Sequence, residues 1–326
     1  MVSRFNGLLG QDTALSLLTQ AIDQQKLAPA YLFLGPTGVG RATAAQQFTA
    51  QLLSSTKPIP TPTEAFTSIT KTSVYRRIQQ RNHPDLLWVE PTYLHQGRPV
   101  TVSEAAELGV RRKSPPQIRL EQVREITRFL TRPPLESPRS MVVVEGAETM
   151  AEAAANGLLK TLEEPGNATV ILLAPNPSAL LPTLVSRCQC IPFRRLSTAL
   201  MADILKPHGH QDILDNPVLM ALAQGSPGQA LSAWQQWNSL PPELLSTVSS
   251  PPTNLKTALT LAQQVTKILD MEAQLWLVDY LQQLYWQQQL DARFLQALEQ
   301  ARFALRRFVQ PRLVWEVTFM AMAPRL

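Results

Sequence analysis

Three short stretches carry residue types able to act on a phosphoryl group. The first is Gly35–Thr43, GPTGVGRAT. A phosphate-binding loop reads G-x-x-x-x-G-K-[S/T]. Its glycines let backbone N–H groups converge on phosphate oxygens at the start of a helix. Gly35 and Gly40 keep that spacing, with Gly38 between them, but the lysine slot holds Arg41 and the hydroxyl slot holds Ala42. Alanine cannot coordinate Mg²⁺, and Thr43, one residue on, lies about 100° further round a helix. Arg41 keeps a cation, although its planar guanidinium does not replace lysine conservatively. Two readings stand: a loop kept for its shape, or a loop that holds nucleotide weakly through Gly35, Gly38, Gly40 and Arg41.

The second stretch is Met141–Met150, MVVVEGAETM. In nucleotide hydrolases with such a loop, an apolar strand ends in an Asp that helps hold Mg²⁺, and a further polar residue orients the attacking water. Here the strand runs into Glu145 and Gly146, so the first acid is lengthened and the next is absent. Glu148, two residues beyond, is expected to face elsewhere. Loss at two separate places points away from hydrolysis. The third stretch is Thr183–Cys190, TLVSRCQC. Read alone, Arg187 is a surface arginine at a helix end. Cys188, Cys190, His208 and His210 lack the spacings of a structural zinc site, and the two neighbouring thiols are not expected to pair.

These residues need a scaffold. Asp12–Gln25 reads as a helix, with Leu15, Leu18, Ala21 and Ile22 at helical spacing and Asp12 as its cap. Ala30–Leu34 is a buried strand entering the glycine turn, and Arg41–Leu53 is the helix after it. Further strands are expected at Leu86–Val89, Met141–Val144 and Thr169–Ala174, with helices at Leu120–Leu130 and Ala151–Glu164. Ser54–Thr72 reads as an exposed insertion and Glu90–Pro116 as loop. Short apolar strands alternating with helices imply a parallel α/β sheet covered on both faces. After Phe193 the strand signals stop. Leu196–Trp237 reads as helical with a break at Gly225–Gly228, Pro251 and Pro252 mark a linker, and Leu255–Met322 is helical again. The expected domains are an α/β P-loop domain at 1–193, a small all-α lid at 194–248 and an all-α collar at 249–326.

Bulk properties bound the rest. The 326 residues suffice for about two domains. Thirty Lys and Arg against 25 Asp and Glu leave a net charge of +5. That excess permits contact with nucleic acid without requiring it, and Arg111, Arg112 and Lys113 form the most basic short run. Two cysteines fit a reducing compartment. The N-terminal MVSRFNGLLGQD has no long apolar core of a signal peptide, and no apolar run nears the roughly 18 residues of a membrane span. A cytoplasmic location with no membrane partner is expected.

Taken together, FNGLLGQD at Phe5–Asp12, AYLFLGPTGVGR at Ala30–Arg41, HPDLLWVEP at His83–Pro91 and AANGLLKTLEEP at Ala154–Pro165 have a familiar order. LVSRC at Leu184–Cys188, GSPGQAL at Gly225–Leu231 and FVQPRLVWE at Phe308–Glu316 continue it. The chain resembles the delta-prime subunits of the bacterial DNA polymerase III clamp loader, within the AAA+ superfamily. The resemblance implies that lid and collar follow a P-loop domain and that the collar holds a five-membered ring together. It assigns Arg187 as an arginine finger for the ATP site of a neighbouring gamma or tau subunit. It places Gly228 where active subunits carry a sensor arginine, and leaves the sensor near Pro175 or Asn176 unassigned. Many relatives bind zinc through four cysteines after the P-loop helix. Ser54–Asn82 has none, so no zinc is expected.

The implied partners are gamma/tau and delta, and through the complex the sliding clamp and primed DNA. The implied role is that of a subunit without intrinsic ATPase, inside a polymerase holoenzyme whose polymerase site lies elsewhere. No cofactor is required, and weak ATP or ADP binding stays open. The alternatives are an ATP-hydrolysing motor subunit of the same kind of complex, motivated by the intact glycine spacing, and a DNA-binding module, motivated by the charge.

Overall fold

The computed structural model of the chain describes residue 5 and residues 7–54, 73–108, 115–163 and 166–324. The Ser54–Thr72 insertion beyond Ser54, the run Arg111–Lys113, and Glu164 and Pro165 lie outside these residues. The chain divides into two units, Met1–Leu200 and Met201–Leu326.

In the first unit the apolar runs become a five-stranded parallel sheet. Its strands are β1 (Ala30–Leu34), β2 (Leu86–Val89), β5 (Ser140–Val144), β6 (Ala168–Ala174) and β7 (Gln189–Pro192), in the order β2-β5-β6-β1-β7. The inner strands β5 and β6 are buried at every residue, and β1 at all but Leu34. This is why they read as continuous apolar runs rather than as alternations.

Helices cover both faces. On one side α1 (Asp12–Asp23), α2 (Arg41–Leu53) and α3 (Ser73–Gln79) bring Leu18, Phe48 and Ile78 onto Tyr31, Phe33 and Met141. On the other, α5 (Leu120–Leu130) and α6 (Glu152–Glu163) bring Ile126 and Leu158 onto Leu32, Val142 and Val170. Leu120–Leu130 has the bounds its pattern predicts.

Two expectations need correction. Asp12 is not the cap of α1. Gln11 occupies that position, without a capping side-chain bond, and Asp12 opens the first turn, where its charge favours the helix dipole. Glu90–Pro116 is not all loop. An antiparallel hairpin forms from β3 (Thr92–His95) and β4 (Arg98–Thr101), followed by α4 (Val102–Glu107). Its two-residue turn, Gln96–Gly97, has φ of 49° and 79°. Two left-handed residues in succession match the twist of a hairpin, but Gln is a weak signal for that conformation.

The chain passes into its helical part through α7 (Pro182–Val185), β7 and α8 (Thr198–Leu205). The second unit continues with α9 (Gln211–Asp215), α10 (Pro217–Ala223), α11 (Pro227–Ser239) and α12 (Pro242–Val248). After Pro251 and Pro252 come α13 (Leu255–Ile268), α14 (Met271–Gln287), α15 (Ala292–Arg306) and α16 (Pro311–Met322). Val218, Leu240, Leu244 and Val248 share one core with Leu261, Leu281, Leu298, Trp315 and Phe319. Two buried polar groups there are paired. Tyr285 Oη donates to Val248 O at 2.8 Å, and Trp315 Nε1 donates to Gln274 Oε1 at 2.9 Å. Unpaired at such depth, each would cost about 1–3 kcal/mol.

Candidate functional site

In a parallel sheet, ligands gather at the carboxyl ends of the strands. Gly35, Glu145 and Asn176 all lie there, just beyond β1, β5 and β6. The chain leaves β1 and turns at once through the glycine loop into α2. Gly35 is pinned to the sheet by its own N–H, which donates to Ala174 O at 3.2 Å. A Cβ at Gly35 would lie 2.4 Å from the Phe193 carbonyl oxygen. Gly38 and Gly40 have φ of 81° and 106°, where side chains are strained. Buried Gln11 secures the rest. Its Nε2 donates to Val39 O at 3.2 Å and Arg194 O at 2.8 Å, and its Oε1 accepts from Arg194 N at 2.9 Å. Sequence reasoning passed over Gln11, whose partners lie 28 and 183 residues away.

Arg41 opens α2 and stays within its loop. Its Nη2 donates to Thr37 Oγ1 at 3.4 Å, and its Nη1 is buried without a hydrogen-bond partner. Burial lowers its pKa, while the charges of Glu148 and then Glu145 push it back up. Exposed Glu148 makes no ion pair with Arg41 among the described residues but bears on it through its charge. Gly146 adopts a left-handed φ of 64°, and the 3₁₀ turn Ala147–Thr149 keeps Glu148 within electrostatic reach of Arg41.

Glu145 is engaged on the other side. Its Oε2 accepts from Trp88 Nε1 at 3.1 Å and from Arg81 Nη2 at 3.3 Å. Arg81 also lies over the Trp88 ring, 5.0 Å from its centroid, and pairs with Glu90. The donor set can now be tested against a metal-bound nucleotide. Position 42 has no hydroxyl, Glu145 is committed to Trp88 and Arg81, and position 146 has no acid. These residues do not fit a Mg²⁺-nucleotide poised for hydrolysis. Among the described residues no three His, Cys, Asp or Glu side chains come together as a metal site.

Arg187 lies at the opposite end of the same sheet. The β1–β7 register pairs Tyr31 with Gln189, and Arg187 stands in the turn between α7 and β7, before the amino end of that strand. From the Tyr31 level to Gly35 is already about 13 Å at roughly 3.3 Å per residue. The structure therefore does not bring Arg187 together with Gly35, Gly38, Gly40 and Arg41. Instead its Nε and Nη2 donate to Glu163 Oε1 at 2.9 and 2.5 Å, and its Nη1 donates to Thr183 O at 3.1 Å. Glu163 ends α6, which runs back across the sheet to the amino ends of the strands. A sequence separation of 24 hid this pair from sequence reading.

Beside the arginine, burial pushes the Cys188 thiol up to about 12, which makes it a poor nucleophile. Cys188 and Cys190 are both free thiols. In the second unit, Gly228 sits in the first turn of α11, which Ser226 caps by accepting from Gln229 N at 3.2 Å. Among the described residues no helix is long and apolar enough to cross a membrane.

Comparison with known proteins identifies the family. Residues 10–197 match the family described as DNA polymerase III, delta subunit, and residues 199–322 match the cyanobacterial DNA polymerase III delta prime, C-terminal domain. The DNA polymerase III subunit delta' of Bacillus subtilis is 30% identical over 196 residues, 60% of this chain and 51% of the relative. That of Pseudomonas aeruginosa is 34% identical over 217 residues, 65% of this chain and 57% of the relative. The chain thus spans about half the length of the curated relatives it matches. A Thermotoga maritima protein related to the DNA polymerase III gamma subunit superposes with a TM-score of 0.55 at 16% identity. It covers 95% of this chain and 99% of that one, a likeness of fold. The first family match takes in more than half of the residues, and the chain belongs to the DNA polymerase III delta-prime family.

Proposed function

We propose that this chain is a clamp-loader subunit that does not hydrolyse nucleotide and lends Arg187 to the ATP site of a neighbouring gamma/tau-type subunit. The observation that carries the reading is the placement of Arg187. It stands before the amino end of β7, more than about 13 Å by strand rise from its own glycine loop, too far to serve that loop within one chain. A cation so placed, paired with Glu163 and the Thr183 carbonyl, has donors left for a second chain.

The remaining assignments follow from this role. The ring partners are gamma/tau and delta, with the sliding clamp and primed DNA engaged through the complex in the cytoplasm, and no membrane partner. Residues 194–248 serve as lid and 249–326 as collar. The exposed apolar side chains Phe303, Phe308, Leu313, Val317 and Met320 give the collar a surface to bury. No cofactor is required. The unsatisfied Nη1 of Arg41 gives the glycine loop a hold on an ATP or ADP phosphate without turnover.

The test is Arg187→Ala in a complex reconstituted with gamma/tau and delta. The isolated variant folds as the parent does, since the side chain is 36% exposed and its pair stabilises little. Clamp- and DNA-stimulated ATPase falls, because an arginine supplied in trans is worth about 10³–10⁵ at its own site. An unchanged rate sinks the arginine-finger reading. Phosphate release at enzyme-like rates by the isolated chain sinks the non-hydrolysing one.

A further inference from the structure

The guanidinium of Arg187 is held on two edges while its end stays open. A guanidinium has five N–H donors. Nε–H and one N–H of Nη2 converge on Glu163 Oε1, and one N–H of Nη1 goes to the Thr183 carbonyl. One N–H on each terminal nitrogen is left. The side chains are 36% and 49% exposed, so the pair is reached by solvent and by any chain that docks there. An exposed pair stabilises a fold little, so stability gives Glu163 no strong reason to be where it is. A long side chain that must present two N–H groups to a phosphate, however, gains from having its side edge fixed beforehand.

We infer that Glu163 is a positioning residue: it anchors the Nε edge of Arg187, with the Thr183 carbonyl as second anchor, so that the terminal N–H groups project toward a phosphoryl group on an adjoining subunit. The inference rests on the trans role proposed above for Arg187. It adds a residue whose effect passes through that arginine alone. The two anchors come from different elements, the end of α6 and the first turn of α7. Together they restrict rotation of the guanidinium about its long axis, which neither would do alone. Gln at position 163 keeps a carbonyl oxygen in place of Oε1. Ala removes the anchor.

The experiment compares Glu163→Ala, Glu163→Gln, Arg187→Ala and the double variant Glu163→Ala/Arg187→Ala in the reconstituted complex. Co-purification and thermal melting verify that each variant folds and assembles. Glu163→Ala lowers kcat for stimulated ATP hydrolysis, roughly ten-fold at the affected site, with KM for ATP unchanged. Glu163→Gln retains most of the rate. The double variant falls no further than Arg187→Ala. If Arg187→Ala is slow while Glu163→Ala keeps the parent rate, Glu163 does not position the arginine and the inference fails alone. A rate above the parent marks Glu163 as a restraint on the arginine and overturns the inference, as does equal loss in the Gln and Ala variants. If Arg187→Ala itself keeps the parent rate, the trans role fails first and takes this inference with it.

Discussion

At the carboxyl end of the sheet, the glycine loop is wrapped by its own protein. Phe193 lies against Gly35, Leu8 against Gly40, and Gln11 holds the Val39 carbonyl. The acid at the end of β5 is taken by Trp88 and Arg81. At the amino end, Arg187 stands half-exposed on Glu163 with donors to spare. One end has the outline of a nucleotide site and packs that outline closely. The other has no such outline and keeps a cationic edge open. If the function proposed above holds, such a fold retains the loop while its chemistry is supplied from the opposite rim.

The sharpest way to break this comparison is Gly35→Ala. If the loop is kept for shape, the cost falls on stability. The new methyl would lie 2.4 Å from the Phe193 carbonyl oxygen, and backbone cannot rotate away as a side chain can. We expect a loss of about 4 kcal/mol, at the upper end for overpacking, as β7 is pushed from β1. Urea unfolding measures it. A variant of parental stability would show that the strand contact does not require glycine, and the phosphate reading of the loop would regain ground.

Much of this site was legible beforehand, and what escaped has a common cause. The β1–loop–α2 unit declares itself within about 25 residues, because an apolar run, spaced glycines and a helical pattern are local signals. The substitutions at Arg41, Ala42, Glu145 and Gly146 are legible for the same reason. The distant pairings are not. Gln11 meets Arg194, Glu163 meets Arg187 and Trp88 meets Glu145 only once the sheet has set its register. The β3–β4 hairpin escaped differently, since its turn places Gln where Asn or Asp would have signalled a left-handed residue. The role proposed for Arg187 rests on family resemblance rather than on its sequence neighbours, which do not point to Glu163 as its partner.

A second prediction sharpens the contrast within the amino end, where two carboxylates serve different purposes. Buried Asp85 accepts from the backbone N–H groups of Leu135 (2.6 Å), Glu136 (2.9 Å) and Ser137 (2.7 Å), pinning the segment that leads into β5. Exposed Glu163 holds a single arginine. Asp85→Ala leaves those donors without their acceptor and should cost about 3 kcal/mol, whereas Glu163→Ala should cost less than about 1 kcal/mol.

The pH dependence separates them further. Burial raises the Asp85 pKa, but the bonds from Leu135, Glu136 and Ser137 together outweigh it, and the net shift is below the ordinary 3.8. Its contribution is therefore full above pH 3.8 and is lost as pH falls through the folded-state value. His83 is held neutral by burial and by Arg77, below its ordinary 6.5, and its Nδ1 accepts from Asp85 N at 3.2 Å. Stability should start to fall below pH 6.5 as this imidazole is forced to protonate, and fall again below 3.8. Asp85→Ala should remove the lower limb, read by chemical denaturation across pH. A lower limb that survives in the variant would place the titrating carboxylate elsewhere.

The smallest effect tests whether substitution or only sequestration keeps the carboxyl end from hydrolysis, as the proposed function requires. Trp88→Phe removes the indole N–H from Glu145 and keeps an aromatic ring for Arg81 to cover. Because Glu145 is 39% exposed, water takes up much of the lost bond, and the cost should be about 1 kcal/mol or less. The carboxylate, still paired with Arg81, is one methylene longer than the usual Asp, meets no hydroxyl at position 42, and is followed by Gly146 rather than an acid. Magnesium-dependent phosphate release by the isolated Trp88→Phe chain should therefore stay at background, and adding Ala42→Thr should leave it there. Turnover in Trp88→Phe alone would mean that one hydrogen bond stands between this loop and hydrolysis, and turnover only with Ala42→Thr would put the loss on the missing hydroxyl; either would mean that the two ends of the sheet differ less than their side chains indicate.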